Sequence, residues 1–406
     1  MTAGSFSKWA AGLCLAAASL PAVAEEPRFD ATLEVGAELR LFPNSPAFPV
    51  QRDRAVSPSI YFEPEFTADW NGGDDRLTLV PFARLDRDDD RRTHADLREA
   101  NWLHIGEGYD LVVGADKVFW GVTESRHLVD IINQSDALED IDQEDKLGQP
   151  MVQIAVPRDW GTTSLFVMPY FRERTFPDRR ARLSGGVRVD SSASYDSDAE
   201  EFNPDIALRW AHVIGDFDIG LSHFHGTSRE PRLLQNDPSD AVNLTPHYDL
   251  IDQTGLDLQY TTDAWLWKLE AIGRAGHGDY FGAAVAGFEY TLFGIAETDM
   301  DLGFLAEYQY DGRDEGGDAP GVLANNDTFL GARLTLNDVD DSSLLAGAVV
   351  DNEDGSTLLS LEAERRIGDA WKVEAVARFF VNTDERNPLH GYDRDDFVSL
   401  TLIRYF

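Results

Sequence analysis

Carboxylates dominate the chemistry this chain can do, and they are densest between positions 119 and 149. That stretch holds eight of them, Glu124, Asp130, Asp136, Glu139, Asp140, Asp142, Glu144 and Asp145, against Arg126 and Lys146. Carboxylates gathered along a passage select positive solutes. Left in open water, the same run only repels its neighbours. Asp140, Asp142 and Glu144 alternate, which offers three oxygens to a calcium ion, yet the glycine and distal glutamate of an EF-hand loop are missing.

Candidates for catalysis are few. Ser222 and His223 are adjacent, and adjacent side chains on a strand point to opposite faces. His223 and His225 share a face but have no third ligand beside them in sequence, a poor metal site. The chain contains no Gly-x-Ser-x-Gly, His-Glu-x-x-His or phosphate-cradling glycine loop. No catalytic residue and no metal ligand is therefore assigned, and an enzyme is not expected.

The elements that must position the carboxylates follow from composition and pattern. With 35 basic and 73 acidic residues the formal net charge is -38, which rules out wrapping nucleic acid. No apolar run reaches the eighteen residues or so that a membrane-spanning helix needs. Residues 1–24 read as a secretory leader: Lys8, an apolar stretch from Trp9 to Leu20, then Ala22-Val23-Ala24 before a cleavage point. The single cysteine, Cys14, lies in that leader, so residues 25–406 contain no thiol for a disulfide or a thiolate metal site.

From Asp30 to Phe406 apolar and polar residues alternate in stretches of roughly ten residues, the signature of a transmembrane antiparallel β-barrel. Ala31, Leu33, Val35, Ala37, Leu39 and Leu41 alternate with Thr32, Glu34, Gly36, Glu38 and Arg40. Trp371, Val373, Ala375, Ala377 and Phe379 likewise oppose Lys372, Glu374 and Arg378. Short turns fall at 71–75, 106–108, 158–161, 215–216, 262–264, 294–298, 338–341 and 368–370. Longer loops separate them at 43–55, 88–93, 119–149, 174–202, 228–245, 276–279, 312–325, 352–355 and 383–393. Eight turns and nine loops join about eighteen strands, with a range of 16 to 20. Asp96–Ile105 breaks the alternation, because Arg98 opposes Glu99 and Asn101, and a bulge is expected there. Strand parity sends Arg40, Arg84, Arg209, Lys268, Arg274, Arg333, Lys372 and Arg378 to the interior. Glu38, Glu270 and Glu307 share that interior, and pairing between the two signs is the simplest outcome.

The chain ends Phe397-Val-Ser-Leu-Thr-Leu-Ile-Arg-Tyr-Phe406. A last strand closing on Phe406 resembles the signal by which the barrel-assembly machinery recognises bacterial outer-membrane proteins; Arg404 departs from its usual aromatic or aliphatic residue. Barrel size, leader and terminal phenylalanine together resemble the porin superfamily over the whole mature chain. The segment from Phe119-Trp-Gly to Asp136, with Asp145-Lys-Leu-Gly-Gln-Pro150, is similar to a proteobacterial porin-like family known only as a domain of unknown function. No functional residue carries over from it.

The porin resemblance implies an outer membrane of a Gram-negative cell, contact with lipopolysaccharide, and passive diffusion of small hydrophilic solutes. It implies that loop 119–149, with Trp120 at its root and a helical pattern at Leu128, Ile131 and Ile132, folds inward as a constriction. An acidic loop facing a basic wall would set a transverse field and lean the channel toward cations. The alternative is a closed or dedicated barrel serving export or assembly, or passing apolar compounds; a surface enzyme is a distant third. Trimers are common among such barrels, and no contact patch in the sequence argues for one. Loop 174–202 opens with Arg174, Arg179, Arg180, Arg182 and Arg188, which would hold lipopolysaccharide phosphates or gather anionic solutes at the mouth, and then turns acidic through Asp190, Asp196, Asp198, Glu200 and Glu201, so pairing within the loop itself is the simpler outcome.

Overall fold

A computed structural model describes residues 26–406 except 236, 238 and 315–317. The leader, its cleavage point and Cys14 lie outside the described residues. Eighteen antiparallel strands close on themselves. The first six are β1 (Arg28–Leu41), β2 (Val56–Trp70), β3 (Asp75–Asp86), β4 (His94–Gly106), β5 (Tyr109–Asp116) and β6 (Gln149–Arg158). Next come β7 (Gly161–Met168), β8 (Asp205–Ile214), β9 (Phe217–Thr227), β10 (Leu250–Thr261), β11 (Trp265–Gly276) and β12 (Gly278–Leu292). The last six are β13 (Asp301–Asp311), β14 (Asn326–Thr335), β15 (Ser343–Asp351), β16 (Thr357–Ile367), β17 (Trp371–Val381) and β18 (Phe397–Tyr405). β18 pairs with β1 from Glu34↔Tyr405 to Leu41↔Val398, so no edge remains. Every turn and loop expected from the sequence falls between the strands it was assigned to.

Alternation becomes an apolar outside and a polar inside. On β1, Leu39 is 46% exposed while its neighbour Glu38 is 5% exposed, inside the barrel. Aromatic side chains gather beside the short turns. Trp265 and Trp267 stack at 5.4 Å and meet Phe288 and Tyr290, and Phe217 stacks on Tyr260 at 4.4 Å. Such rings suit the headgroup level of a bilayer. Phe406 joins this belt, its N–H donating to the Leu33 carbonyl at 3.0 Å. The Arg404 guanidinium covers Trp371 and Phe406 at 4.9 and 5.2 Å, so its stem stays on the apolar face while its charge meets ring faces.

The expected bulge lies at Arg98. Val80 pairs with Glu99 but Pro81 pairs with Leu97, leaving Arg98 unmatched and turned inward. Pro81 has no N–H to give the ladder, and so tolerates the break. Four short segments outside the barrel, Arg188–Val189, Ser194–Tyr195, Arg232–Gln235 and Asn243–Tyr248, form a small external sheet.

Leu400 faces outward in the middle of β18 and is 44% exposed. Leu400→Arg should destabilise the folded protein by about 2–4 kcal/mol if that face meets hydrocarbon. Urea unfolding in lipid vesicles measures it, and a change near zero would place this face in water.

Candidate functional site

Loop 117–148 leaves β5 and turns into the barrel. Its neck is closed by Asn133, which accepts from Val118 N–H at 2.9 Å and donates to the carbonyls of Asp116 and Leu147. Beyond the neck, Trp120, Leu128, Val129, Ile131 and Ile132 pack on Met151, Phe166, Phe224, Ile272, Phe281 and Val285 of the inner wall. Among the described residues of this loop there is no helix, contrary to the pattern read at Leu128, Ile131 and Ile132. Side-chain carboxylates hold the backbone here instead: Trp120 N–H bonds Asp130 of the loop itself, and Val129 N–H bonds Glu270 of the wall.

Two carboxylates of the wall hold the first half of the loop. Glu270 on β11 accepts from the N–H groups of Val122, Thr123 and Val129 at 2.7, 3.1 and 3.1 Å, and from Thr123 Oγ1. Glu307 on β13 accepts from Glu124 and Ser125 N–H, both at 2.8 Å, and from Ser125 Oγ. Arg126 completes this side on Asp311 at 2.8 Å and on the Ala324 carbonyl.

The second half reaches the opposite wall through charge. Glu139 pairs with Arg84 on β3 and stands near Arg92 and Arg98, each at 3.9 Å. Asp136 pairs with Arg98 at 2.9 Å, and Arg92 donates to the Leu138 carbonyl at 2.9 Å. Arg378 on β17 takes Asp140 at 3.0 Å and Asp142 at 2.9 Å. The loop thus spans the lumen between β11–β13 and β1–β4 with β17. Asp130 is buried at its root against Lys146 at 3.1 Å.

All eight interior basic residues are ion-paired. Arg40 meets Glu38 at 2.5 Å, Arg84 meets Glu38 at 2.6 Å, and Arg209 meets Asp257 at 2.7 Å. Lys268 and Arg333 share Glu124 at 3.4 and 2.6 Å, and Arg274 meets Glu230 at 3.2 Å. Lys372 lies between Glu364 and Glu374, and Arg378 also meets Glu362 at 2.8 Å. Arg378 is buried, whereas Asp142, Glu144, Asp145 and the Glu362 side chain keep solvent-reaching surface. The charge left open beside the loop is therefore negative. Asp140 and Asp142 both face the guanidinium of Arg378.

Several holding residues went unread in the sequence. Glu38, Glu270 and Glu307 were placed inside by parity, but their role as loop acceptors has no local signal. Arg98 was hidden by the bulge, and Arg92 sits in loop 87–93 outside any strand parity. One signal was present: β12 reads Phe281-Gly-Ala-Ala-Val-Ala-Gly, apolar on both faces, as a wall covered on its inner side requires. The arginines of loop 169–204 bind both other loops and their own: Arg182 meets Asp395 and Arg180 meets Asp90, each at 2.5 Å, while Arg180 also meets Asp178 at 3.1 Å and Arg179 donates to the Gly186 carbonyl at 3.0 Å. His223 and His225 face outward beside Asp252 of β10, the nearer contact being His225 at 2.9 Å.

No family model matches the chain, and no curated protein matches it in sequence. Among solved structures it is similar to a BenF-like porin from Pseudomonas fluorescens Pf-5, at 11% identity over 94% of this chain and 98% of that one, TM-score 0.53. It is similar to OpdQ of Pseudomonas aeruginosa, at 10% identity over 94% and 98%, TM-score 0.53. Wzi of Escherichia coli, described as a carbohydrate-binding outer-membrane barrel involved in group 1 capsule assembly, matches at 11% identity over 92% and 84%, TM-score 0.53. At these identities the likeness is one of fold. The chain has the architecture of outer-membrane β-barrels, closed with eighteen strands and carrying an inward loop.

Glu270→Ala should leave three loop N–H groups without an acceptor, at about 1–3 kcal/mol for each one that water does not reach. Protease cleavage within 119–149 should rise while the barrel stays heat-modifiable on gels, and Glu270→Gln, which keeps an acceptor oxygen, should restore most of the protection. Protonation in the same loop gives a second test. Although both keep an open side, partial loss of water inside the barrel, then the neighbouring Asp140, pushes the Asp142 carboxyl up to about 8, and the same loss of water with Glu139 pushes Asp145 up to about 6. Raised acid pKa values mean the folded loop holds these protons more tightly than the unfolded chain. Their contribution is full below about pH 4 and is lost as pH rises through 6 and then 8. In a channel, negative charge beside the loop should grow from pH 5 to pH 9, and cation preference with it. Reversal potentials across that range measure this, and the upper step should vanish in Asp142→Asn.

Proposed function

We propose that the protein resides in the outer membrane as a channel for passive diffusion of small hydrophilic solutes, with loop 119–149 as its constriction and a preference for cations. The observation that carries this reading is the asymmetry of charge around the loop. Every basic side chain expected on the lumen wall is neutralised by a partner, while Asp142, Glu144, Asp145 and Glu362 keep reachable carboxylates. The likeness in fold to porins supports it. A resident of this kind would be exported by its leader, inserted by the barrel-assembly machinery through Phe406, and surrounded by lipopolysaccharide.

A second reading, a closed or dedicated barrel, is favoured by the cross-linking of the outer loops. Arg182–Asp395, Arg180–Asp90 and Arg313–Glu230 tie loop to loop over the mouth. The likeness to Wzi points the same way, since a barrel of this fold can serve carbohydrate binding.

Single-channel recording in planar bilayers, with reversal potentials in asymmetric potassium chloride, separates the two. Steady ohmic steps with cation preference are expected, and Asp142→Asn, Glu144→Gln and Asp145→Asn combined should move the reversal potential toward zero. Silence from protein shown to be folded would overturn the open channel and leave the closed barrel.

A further inference from the structure

The external sheet brings together three side chains from two loops. Ser194 of loop 169–204 pairs with His247 of loop 228–249 across a parallel bridge, which sets the imidazole beside Asp196 and Asp249. His247 Nε2 lies 3.2 Å from Asp196 Oδ1 and 3.4 Å from Asp249 Oδ1. A ligand atom from each of the three residues falls within 4.8 Å of the other two. These are the spacings of a coordination polyhedron, since nitrogen and oxygen ligands held about 2.0–2.2 Å from a tetrahedral zinc stand roughly 3.4 Å apart.

The surroundings fit ligation. Ser194 Oγ lies 2.9 Å from His247 Nδ1. With Nδ1–H donating to that oxygen, Nε2 turns a lone pair toward two carboxylates, an arrangement that repels unless a cation stands between them. Asp196 accepts Leu250 N–H at 3.2 Å through its other oxygen, and Asp249 is held by Arg232 at 2.6 and 3.0 Å. Outer contacts of this kind orient metal ligands. Arg232 is shared with Asp318 at 3.1 Å, so three carboxylates and one guanidinium leave two negative charges for a divalent ion. Asp249 is buried and Asp196 is 45% exposed, which leaves one open side for entry and for a water or hydroxide as fourth ligand.

We propose that Asp196, His247 and Asp249 bind a divalent transition-metal ion, zinc by ligand type, which clamps loops 169–204 and 228–249 together above the barrel. The clamp acts on the constriction as well: Arg229, from the second loop, donates to the Ile132 carbonyl at 2.7 Å, and Arg174, from the first, bonds Gln134 at 3.1 Å. Removing the ion should therefore loosen the outer hold on loop 119–149.

The test is calorimetric titration of the full, metal-stripped protein in detergent with zinc chloride, repeated with cobalt(II) followed by visible absorption. One zinc per chain and tetrahedral cobalt bands are expected. His247→Ala and Asp196→Asn should each weaken binding at least tenfold, and Ser194→Ala about tenfold through the lost orientation of the ring. His223→Ala combined with His225→Ala should bind as the natural protein does. Zinc binding that is absent, unchanged in both His247→Ala and Asp196→Asn, or lost only with His223 and His225 would overturn the proposal. Heat-modifiable migration confirms that each variant is folded.

Discussion

Backbone that enters the barrel as an irregular loop must find acceptors for its N–H groups, and the structure depends on how that demand is met. Strands supply their own partners through the ladder, but residues 117–148 join no barrel strand and pair with each other only around the Ser135–Lys146 bridge. Glu270 and Glu307, pointing inward from β11 and β13, each gather two or more donors from the loop. A carboxylate suits this work because it offers several lone pairs and its bonds to N–H groups are strengthened by charge. Once these donors are held, Trp120 and Leu128–Ile132 can lie on the inner wall with their backbone satisfied. The apolar contact then adds to a conformation already fixed.

Charge on the far side follows from the same enclosure. Glu38 is surrounded by Arg40, Arg84 and Arg92 with Ser59 and Ser399, and Glu139 is presented to Arg84, Arg92 and Arg98. Although burial works to raise the Glu139 pKa, the three guanidinium groups keep it below the ordinary range. Buried charges are stable only when partners replace lost water, and removing one member leaves the rest uncompensated. The loop is thus an integral part of the charge balance of β1, β3 and β4.

The barrel was legible because its pattern is repeated in every strand. A period of two, read over eighteen stretches and punctuated by short turns, leaves little freedom for strand count or closure. The loop was legible as an element but its conformation was not. Leu128, Ile131 and Ile132 have helical spacing, yet apolar spacing states only that residues share surroundings. The acceptors that decided the fold, Glu270 and Glu307, lie more than 140 positions away. The place of Arg98 was lost for a different reason: one extra residue reverses strand parity, and the register that reveals it belongs to the pair of strands. Asp196 and His247 likewise meet only through a parallel bridge between loops, which local sequence does not encode.

Composition fixes the sign of the exposed charge, and topology fixes its place. A chain with about twice as many carboxylates as cations can pair every cation and still hold a surplus, so ion-paired arginines on the lumen wall carry little information alone. What distinguishes this barrel is which carboxylates are left over. Were the surplus confined to the external loops, the field would act only at the mouth and salt would screen it within about 10 Å. Instead, part of it sits inside the barrel where loop and wall meet, at Glu144 and Asp145 and around Arg378, whose single charge faces Asp140, Asp142 and Glu362. In the proposed channel, a solute passing there would stand no farther off than the width the loop leaves. In the channel proposed above, the loop that crosses the lumen would thus also carry the surplus charge, so that size and charge discrimination would share one set of residues.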